Sequence, residues 1–194
     1  MQTFESFSKQ LDLQTGVLEP VECVIQRRLS DMRNIYIDEE ARERIEREEG
    51  DRLIYEVFVT KLPEKEGHLS YGTTIIYPGC VGEEFHITKG HFHKLRNRAE
   101  VYIGISGEGC LIMQSEDGSF RSLKMKRGTV AYVPPNWAHR TGNIGNEPFS
   151  FFAIWPGDAG HDYGAIERSS FAKVLVVRGG QAVLIDNPKY AQDK

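Results

Sequence analysis

Long apolar runs are absent from the 194 residues, and no stretch approaches the roughly 20 residues that a membrane-spanning helix needs, so no membrane association is expected. The first seven residues, Met-Gln-Thr-Phe-Glu-Ser-Phe, carry neither a charged leader region nor an apolar one; secretion is not expected, and the cytoplasm is. Cationic charge is in deficit too: 24 Lys and Arg against 28 Asp and Glu give a net charge of -4 and a pI near 5.9. That balance leaves no basic footprint for nucleic acid, which is excluded as a partner. Cysteine is scarce. Cys23, Cys80 and Cys110 are odd in number and far apart, which argues against a disulfide framework or a zinc knuckle and for reduced, buried thiols. There is no repeat of fixed period, no low-complexity tract and no second compositional boundary, so one domain is expected over residues 1–194.

What the chain does contain is an ordinary globular mixture, 40% hydrophobic and 27% charged. Residues 1–50 read as an N-terminal arm with a helix. Asp38 can cap its first turn, Glu39 and Glu40 suit the positive end of its dipole, and Gly50 can end it. From residue 51 to 188 the texture is that of strands. β-branched and aromatic runs at 54–59, 69–77, 85–88, 101–105, 111–114, 120–125, 130–134, 149–155, 173–178 and 182–185 alternate with turn signals such as Glu116-Asp117-Gly118-Ser119. Residues 189–194 form a tail. Many short strands at this spacing predict an all-β antiparallel barrel or sandwich.

The chemistry concentrates between residues 90 and 143. His91 and His93 are two apart, so in an extended strand both imidazoles face one way and Phe92 the other. Glu100 opens the next alternating run, on the face that also carries Tyr102 and Gly104. A hairpin across 94–99 brings two imidazoles and a carboxylate together, and His139, after Pro134-Pro135, offers a third imidazole. Three neutral nitrogens and one hard oxygen suit one divalent first-row metal, with Fe the leading expectation and Ni, Mn, Co or Zn the others. The spacing of Gly128, Pro134, His139 and Asn143 completes the double-stranded β-helix pattern of the cupins, with Asn136 where that pattern has glycine. The expected fold is therefore a cupin jelly-roll barrel preceded by the short helical arm.

Several blocks together resemble the archaeal, cupin-type phosphoglucose isomerases: Thr-Lys-Gly-His-Phe-His at 88–93, Arg-Ala-Glu-Val-Tyr at 98–102, the segment 133–141 around Trp-Ala-His, and Asp-Ala-Gly-His-Asp-Tyr-Gly at 158–164. The resemblance extends to 28–32 and 73–79 and so spans nearly the whole chain. It implies a homodimeric enzyme that uses a metal to interconvert glucose 6-phosphate and fructose 6-phosphate. It also implies that His91, His93, Glu100 and His139 hold the metal, and that Thr74, Thr88 and the Gly90 backbone meet the phosphate. Tyr55, Tyr102, His161 and Tyr163 would line the sugar, with Glu100 the candidate base and His161 and Tyr163 helpers in ring opening. Two residues depart from the family pattern, Asn136 where the family can carry an aromatic residue and Trp155 where a tyrosine is expected, and both are placed at the substrate pocket. Lys89 and Arg98 read as solvated charges rather than ligands.

The cupin pattern alone leaves other classes open: an oxygen-using enzyme with a three-His, one-Glu metal, another sugar-phosphate isomerase or epimerase, or a sugar-sensing module. The threonines, tyrosines and histidine gathered near the ligands fit a polar sugar better than a small apolar substrate.

Overall fold

A computed structural model describes residues 5–190; the end of the expected tail, 191–194, lies outside them. The chain begins with the short strands β1 (Gln10–Leu11) and β2 (Leu18–Glu19), then β3 (Cys23–Arg28), a single 3-10 turn at Leu29–Met32, and helix α1 (Glu39–Glu49). Strands β4 (Leu53–Val59), β5 (Leu69–Ile76), β6 (Cys80–Val81), β7 (Glu84–Phe85) and β8 (Phe92–His93) follow. After these come β9 (Glu100–Ser106), β10 (Glu108–Ser115), β11 (Phe120–Lys126), β12 (Val130–Val133), β13 (Trp137–Asn143) and β14 (Phe149–Pro156). The chain closes with β15 (His161–Asp162), helix α2 (Tyr163–Ser169), β16 (Lys173–Arg178) and β17 (Gln181–Asp186).

The architecture is the expected antiparallel barrel. A six-stranded sheet in the order β12-β9-β14-β5-β4-β3 faces a three-stranded sheet β11-β10-β13 and the four-stranded sheet β17-β16-β7-β6. One continuous apolar core joins them, with Leu111, Ile112, Met125 and Phe149 fully enclosed between the layers. Burying such side chains contributes about 1.5–3 kcal/mol each. Helix α1 forms as its sequence dictates: the Asp38 carboxylate accepts the Ala41 N–H at 2.8 Å, and Ala41 and Ile45 turn into the core.

The arm is more integral than a sequence boundary at residue 50 suggests. β3 pairs with β4 along its length and becomes the outermost strand of the main sheet. The β1–β2 ribbon lays Leu18 against Phe58 and Ile75 on that sheet's outer face. The thiols are free, and only Cys110 is buried; Cys23 and Cys80 are half-buried, because Cys23 stands on an edge strand and Cys80 in a two-residue one.

Strand parity then builds the site. Along the inner face of the six-stranded sheet the residues facing inward are every second one: Cys23, Ile25 and Arg27 on β3; Tyr55, Val57 and Val59 on β4; Ser70, Gly72 and Thr74 on β5; Phe151, Ala153 and Trp155 on β14; Glu100 and Tyr102 on β9. The register sets them in rows, such as Ile25, Val57, Thr74 and Phe151. In a regular strand Thr88 would face away from His91 and His93, and Gly90 breaks that regularity. Its φ of +80° turns the chain, and a Cβ there would lie 2.7 Å from Phe171 and 2.8 Å from Arg140. Only glycine fits such a position without strain.

Candidate metal centre and substrate cavity

Four side chains converge at one end of a cavity of about 600 Å³, with His91, Glu100 and His139 on its wall and His93 beside them. His91 and His93 come from the segment ending in β8, Glu100 from the first residue of β9, and His139 from β13, whose backbone pairs with His91. Their nearest ligating atoms all lie within 4.8 Å of one another. Glu100 Oε2 is 3.2 Å from His93 Nε2 and 2.9 Å from His139 Nε2. The Nδ1 atom of His93 faces the Arg98 carbonyl at 3.0 Å, which turns its Nε2 lone pair toward the cluster. Behind it, Phe92 lies under the Arg96 guanidinium at 4.4 Å, turned away from the site as strand alternation requires.

The electrostatics are those of a site arranged for a cation. Burial, with the neighbouring imidazoles of His139, His161 and His93, holds His91 well below the usual histidine range, so it is neutral with a free lone pair. Burial would raise Glu100, but the charges and hydrogen bonds of His139 and His93 outweigh it and hold the carboxylate ionised. Burial also opposes charge on His93, yet Glu100 wins and raises it. Burial, then the Glu100 charge, pushes the Tyr102 phenol far above its ordinary value, so it remains a neutral donor.

The residues fit a metal. His91 Nε2 is buried without a hydrogen-bond partner, a condition that costs about 1–3 kcal/mol when nothing satisfies it, and His139 Nε2 meets the Glu100 carboxylate at 2.9 Å. Three imidazole nitrogens and one carboxylate are a donor set for a divalent first-row ion.

The cavity wall also carries Tyr55, Thr74, Thr88, Gly90, Tyr102, Trp155, His161 and Tyr163, all brought together as the sequence suggested. The Thr88 hydroxyl accepts the Thr141 N–H at 3.0 Å, which leaves its own proton to donate. His161 and Tyr163 stand exposed at the mouth, with the His161 ring 4.5 Å from that of His91 and stacked on Tyr163 at 6.0 Å.

Asn136 is a correction. It is exposed in the turn before β13, with a φ of +68°, and it is not part of the cavity wall. Its N–H donates to the Arg96 carbonyl at 2.6 Å. Asparagine tolerates the left-handed region better than most residues, so it takes the backbone role of the glycine in the cupin pattern rather than a place against substrate. Arg98 is corrected as well: it is not a free solvated charge but forms a two-armed ion pair with Asp158 at 2.9 and 2.6 Å. Arg96 likewise reaches Asp162 at 2.7 Å. These pairs tie the loop after β8 to the segment that carries His161.

Sequence reasoning missed Arg27. It lines the cavity beside Tyr55, whose phenol also meets the Lys89 backbone. The signal was present in the alternation of Cys23, Ile25 and Arg27, the inward set of an edge strand.

Comparisons with known proteins agree along the chain. Residues 26–192 match the family model described as glucose-6-phosphate isomerase. The glucose-6-phosphate isomerase of Pyrococcus horikoshii is 49% identical over 187 residues, 96% of this chain and 97% of that one. That of Thermococcus litoralis is 48% identical over 186 residues, again 96% and 97% of the two chains. A bacterial relative of the same name, from Sinorhizobium medicae, is 36% identical over 92% of this chain and 83% of its own.

Proposed function

Because the chain belongs to the glucose-6-phosphate isomerase family, we propose that it interconverts glucose 6-phosphate and fructose 6-phosphate with one divalent metal ion, iron first, held by His91, His93, Glu100 and His139. The observation that carries the metal dependence is the convergence of those four donors, the His91 Nε2 buried without a partner, at one end of a cavity whose wall also carries threonine and tyrosine hydroxyls. When bound there, such an ion acts as a Lewis acid toward the carbonyl end of an open-chain sugar.

The chain's own residues divide the remaining work. Thr74, Thr88, the Gly90 backbone and Arg27 form the phosphate end, where a hydroxyl proton, an unobstructed backbone and a guanidinium all suit an oxyanion. Anchoring the phosphate fixes the distance of C1 and C2 from the metal end. Tyr55, Tyr102 and Trp155 wall the sugar and exclude water. His161 and Tyr163, at the mouth, are placed to take and return the hemiacetal proton as the ring opens.

Isomerisation then moves one hydrogen between C2 and C1. Glu100 is ionised and so is in the form that accepts the C2 proton, passing through an enediol and returning the proton to C1. A direct hydride shift from C2 to C1 is favoured by one observation: the imidazoles that keep Glu100 ionised also make it a weak base. Running the reaction in deuterated water separates the two, since solvent deuterium at the transferred position marks the enediol. The assignment as a whole is tested by a coupled assay with fructose 6-phosphate, with and without chelator. Turnover that stops on chelation supports it, and no turnover under any metal contradicts it.

We propose further that the working unit is a homodimer. The support is family resemblance together with the edge strand β3, which leaves Val24 and Ile25 exposed.

A further inference from the structure

Successive residues of a strand face opposite ways, so on β13 the residue after His139 points out of the metal cavity. That residue is Arg140, and it is buried to 3% exposure. Its guanidinium lies 4.5 Å over the Phe171 ring, and Nη2 donates to the Lys173 carbonyl at a long 3.4 Å. Nε has no hydrogen-bond partner, and among the described residues no carboxylate forms an ion pair with it. Glu84 is the carboxylate whose charge reaches Arg140. Its Oε1, however, accepts the Ile37 N–H, and it also feels the charge of Lys189. A buried guanidinium so poorly paired costs several kcal/mol unless something else meets it.

What it faces is a second cavity, of about 440 Å³, on the outer side of the segment that holds Thr88 and Gly90. Arg33, Lys89, Arg140, Arg168 and Lys189 line it, against a single carboxylate, Glu167. Lys189 donates to the Tyr36 carbonyl at 2.6 Å, and Arg168 lies in range of Asp162. Such a concentration of positive charge stands out in a chain whose net charge is -4. The cations come from separate parts of the chain: the turn before α1, the loop before β8, β13, α2 and the segment after β17. They converge on one space, which is unlike a solvated charge run.

The geometry points to a second anion site here, distinct from the substrate cavity, that takes a phosphate dianion, either free or as the monoester of a small metabolite. Arg140 supplies the desolvated fork at its base, and Lys89 and Lys189 flank it. Arg33 and Arg168 form the exposed rim. Lys89 thereby has a use that the substrate cavity does not give it. The two sites are back to back, separated by a wall thinned by the missing Cβ of Gly90.

Calorimetric titration of the full chain with inorganic phosphate tests this, because the two anion sites respond to different substitutions. The wild type should bind two phosphates per chain. Arg33→Glu/Arg168→Glu, which touches only the exposed rim, should keep the cavity site and weaken the second at least about 10-fold, with turnover of fructose 6-phosphate little changed. Arg140→Met, verified as folded by circular dichroism, should lose the second site; if it does not fold, the rim variant decides. A parallel titration with glycerol 3-phosphate identifies the source: tighter binding than inorganic phosphate marks a metabolite ester, and weaker binding marks the free ion. One phosphate per chain in the wild type, or equal binding in wild type and rim variant, overturns the site.

Discussion

The two ends of the substrate cavity are built on different principles. The candidate metal end gathers four side chains at fixed points of β8, β9, β13 and the residue before β8, with His93, Glu100 and His139 buried, His91 half-buried, and their ligating atoms within 4.8 Å of one another. The end proposed for phosphate spreads over β3, β5 and the 88–90 turn and offers hydroxyls, a backbone and one guanidinium. The first arrangement is demanding: remove one member, and the remaining buried groups lose their reason to be there. The second is distributed, so each member contributes a share of binding. A change at the metal end should therefore appear in kcat and in metal content, and a change at the other end in KM.

The largest expected effect is at the metal end. His139→Ala should lose the metal and at least about 1,000-fold in kcat, on the scale at which removal of one critical electrostatic group costs turnover. Elemental analysis beside the assay checks it, and His68→Ala, outside the cavity wall, is the control that should keep both. Next comes Glu100→Gln. Its amide oxygen can still coordinate but cannot accept a proton, so the fully metallated variant should remain about 100-fold slow, the lower end of what a positioned base supplies. A near wild-type kcat with full metal would remove the base role and favour the hydride route.

Smaller effects belong to the far end. Thr74→Ala and Arg27→Met should each raise KM for the sugar phosphate several-fold to about 10-fold with little change in kcat, as expected when uniform binding is lost. Steady-state kinetics of the two variants decide this, and equal losses of kcat and kcat/KM would erase the contrast between the ends.

The smallest effect comes from a histidine outside both. His86 is buried with Nδ1 against the Tyr77 carbonyl at 3.0 Å and, among the described residues, forms no ion pair with a carboxylate. Burial, with the Arg52 charge, lowers it from 6.5 to about 4. A depressed histidine is neutral in the fold and takes its proton on unfolding. Its contribution is thus complete above pH 6.5 and is lost as pH falls toward 4, at most about 3 kcal/mol. His86→Leu should retain metal and show a shallower loss of melting temperature over that interval. Both His86 and His91 have an orphan Nε2, and what sets His91 apart is the company of a carboxylate and further imidazoles.

Much of this was legible in the sequence because strand parity is a strict rule. Two residues apart means one face, and the alternation of Glu100 and Tyr102 carried directly into the cavity wall. The four donors were found because histidine pairs and a strand-heading glutamate announce themselves. Legibility ended where backbone geometry or distant partners decide. β13 was hidden behind the proline turn, since Trp137–Asn143 mixes polar and small residues that are buried on both faces. Helix α2 is seven residues with one fully buried side chain, too short for a period to show. Asn136 looked like a pocket residue because the family pattern has an aromatic there, whereas its positive φ gives it a turn to make. Arg98 looked solvated because its partner, Asp158, is 60 positions away.

The central claim is that turnover depends on one metal held by His91, His93, Glu100 and His139. It is tested most directly by stripping the protein with chelator, confirming the loss by elemental analysis, and adding back a divalent ion in sub-stoichiometric steps while following fructose 6-phosphate conversion. Activity should be nil in the stripped protein, rise in proportion to bound metal and level off at one ion per chain. Full activity in protein shown to be metal-free would contradict the account.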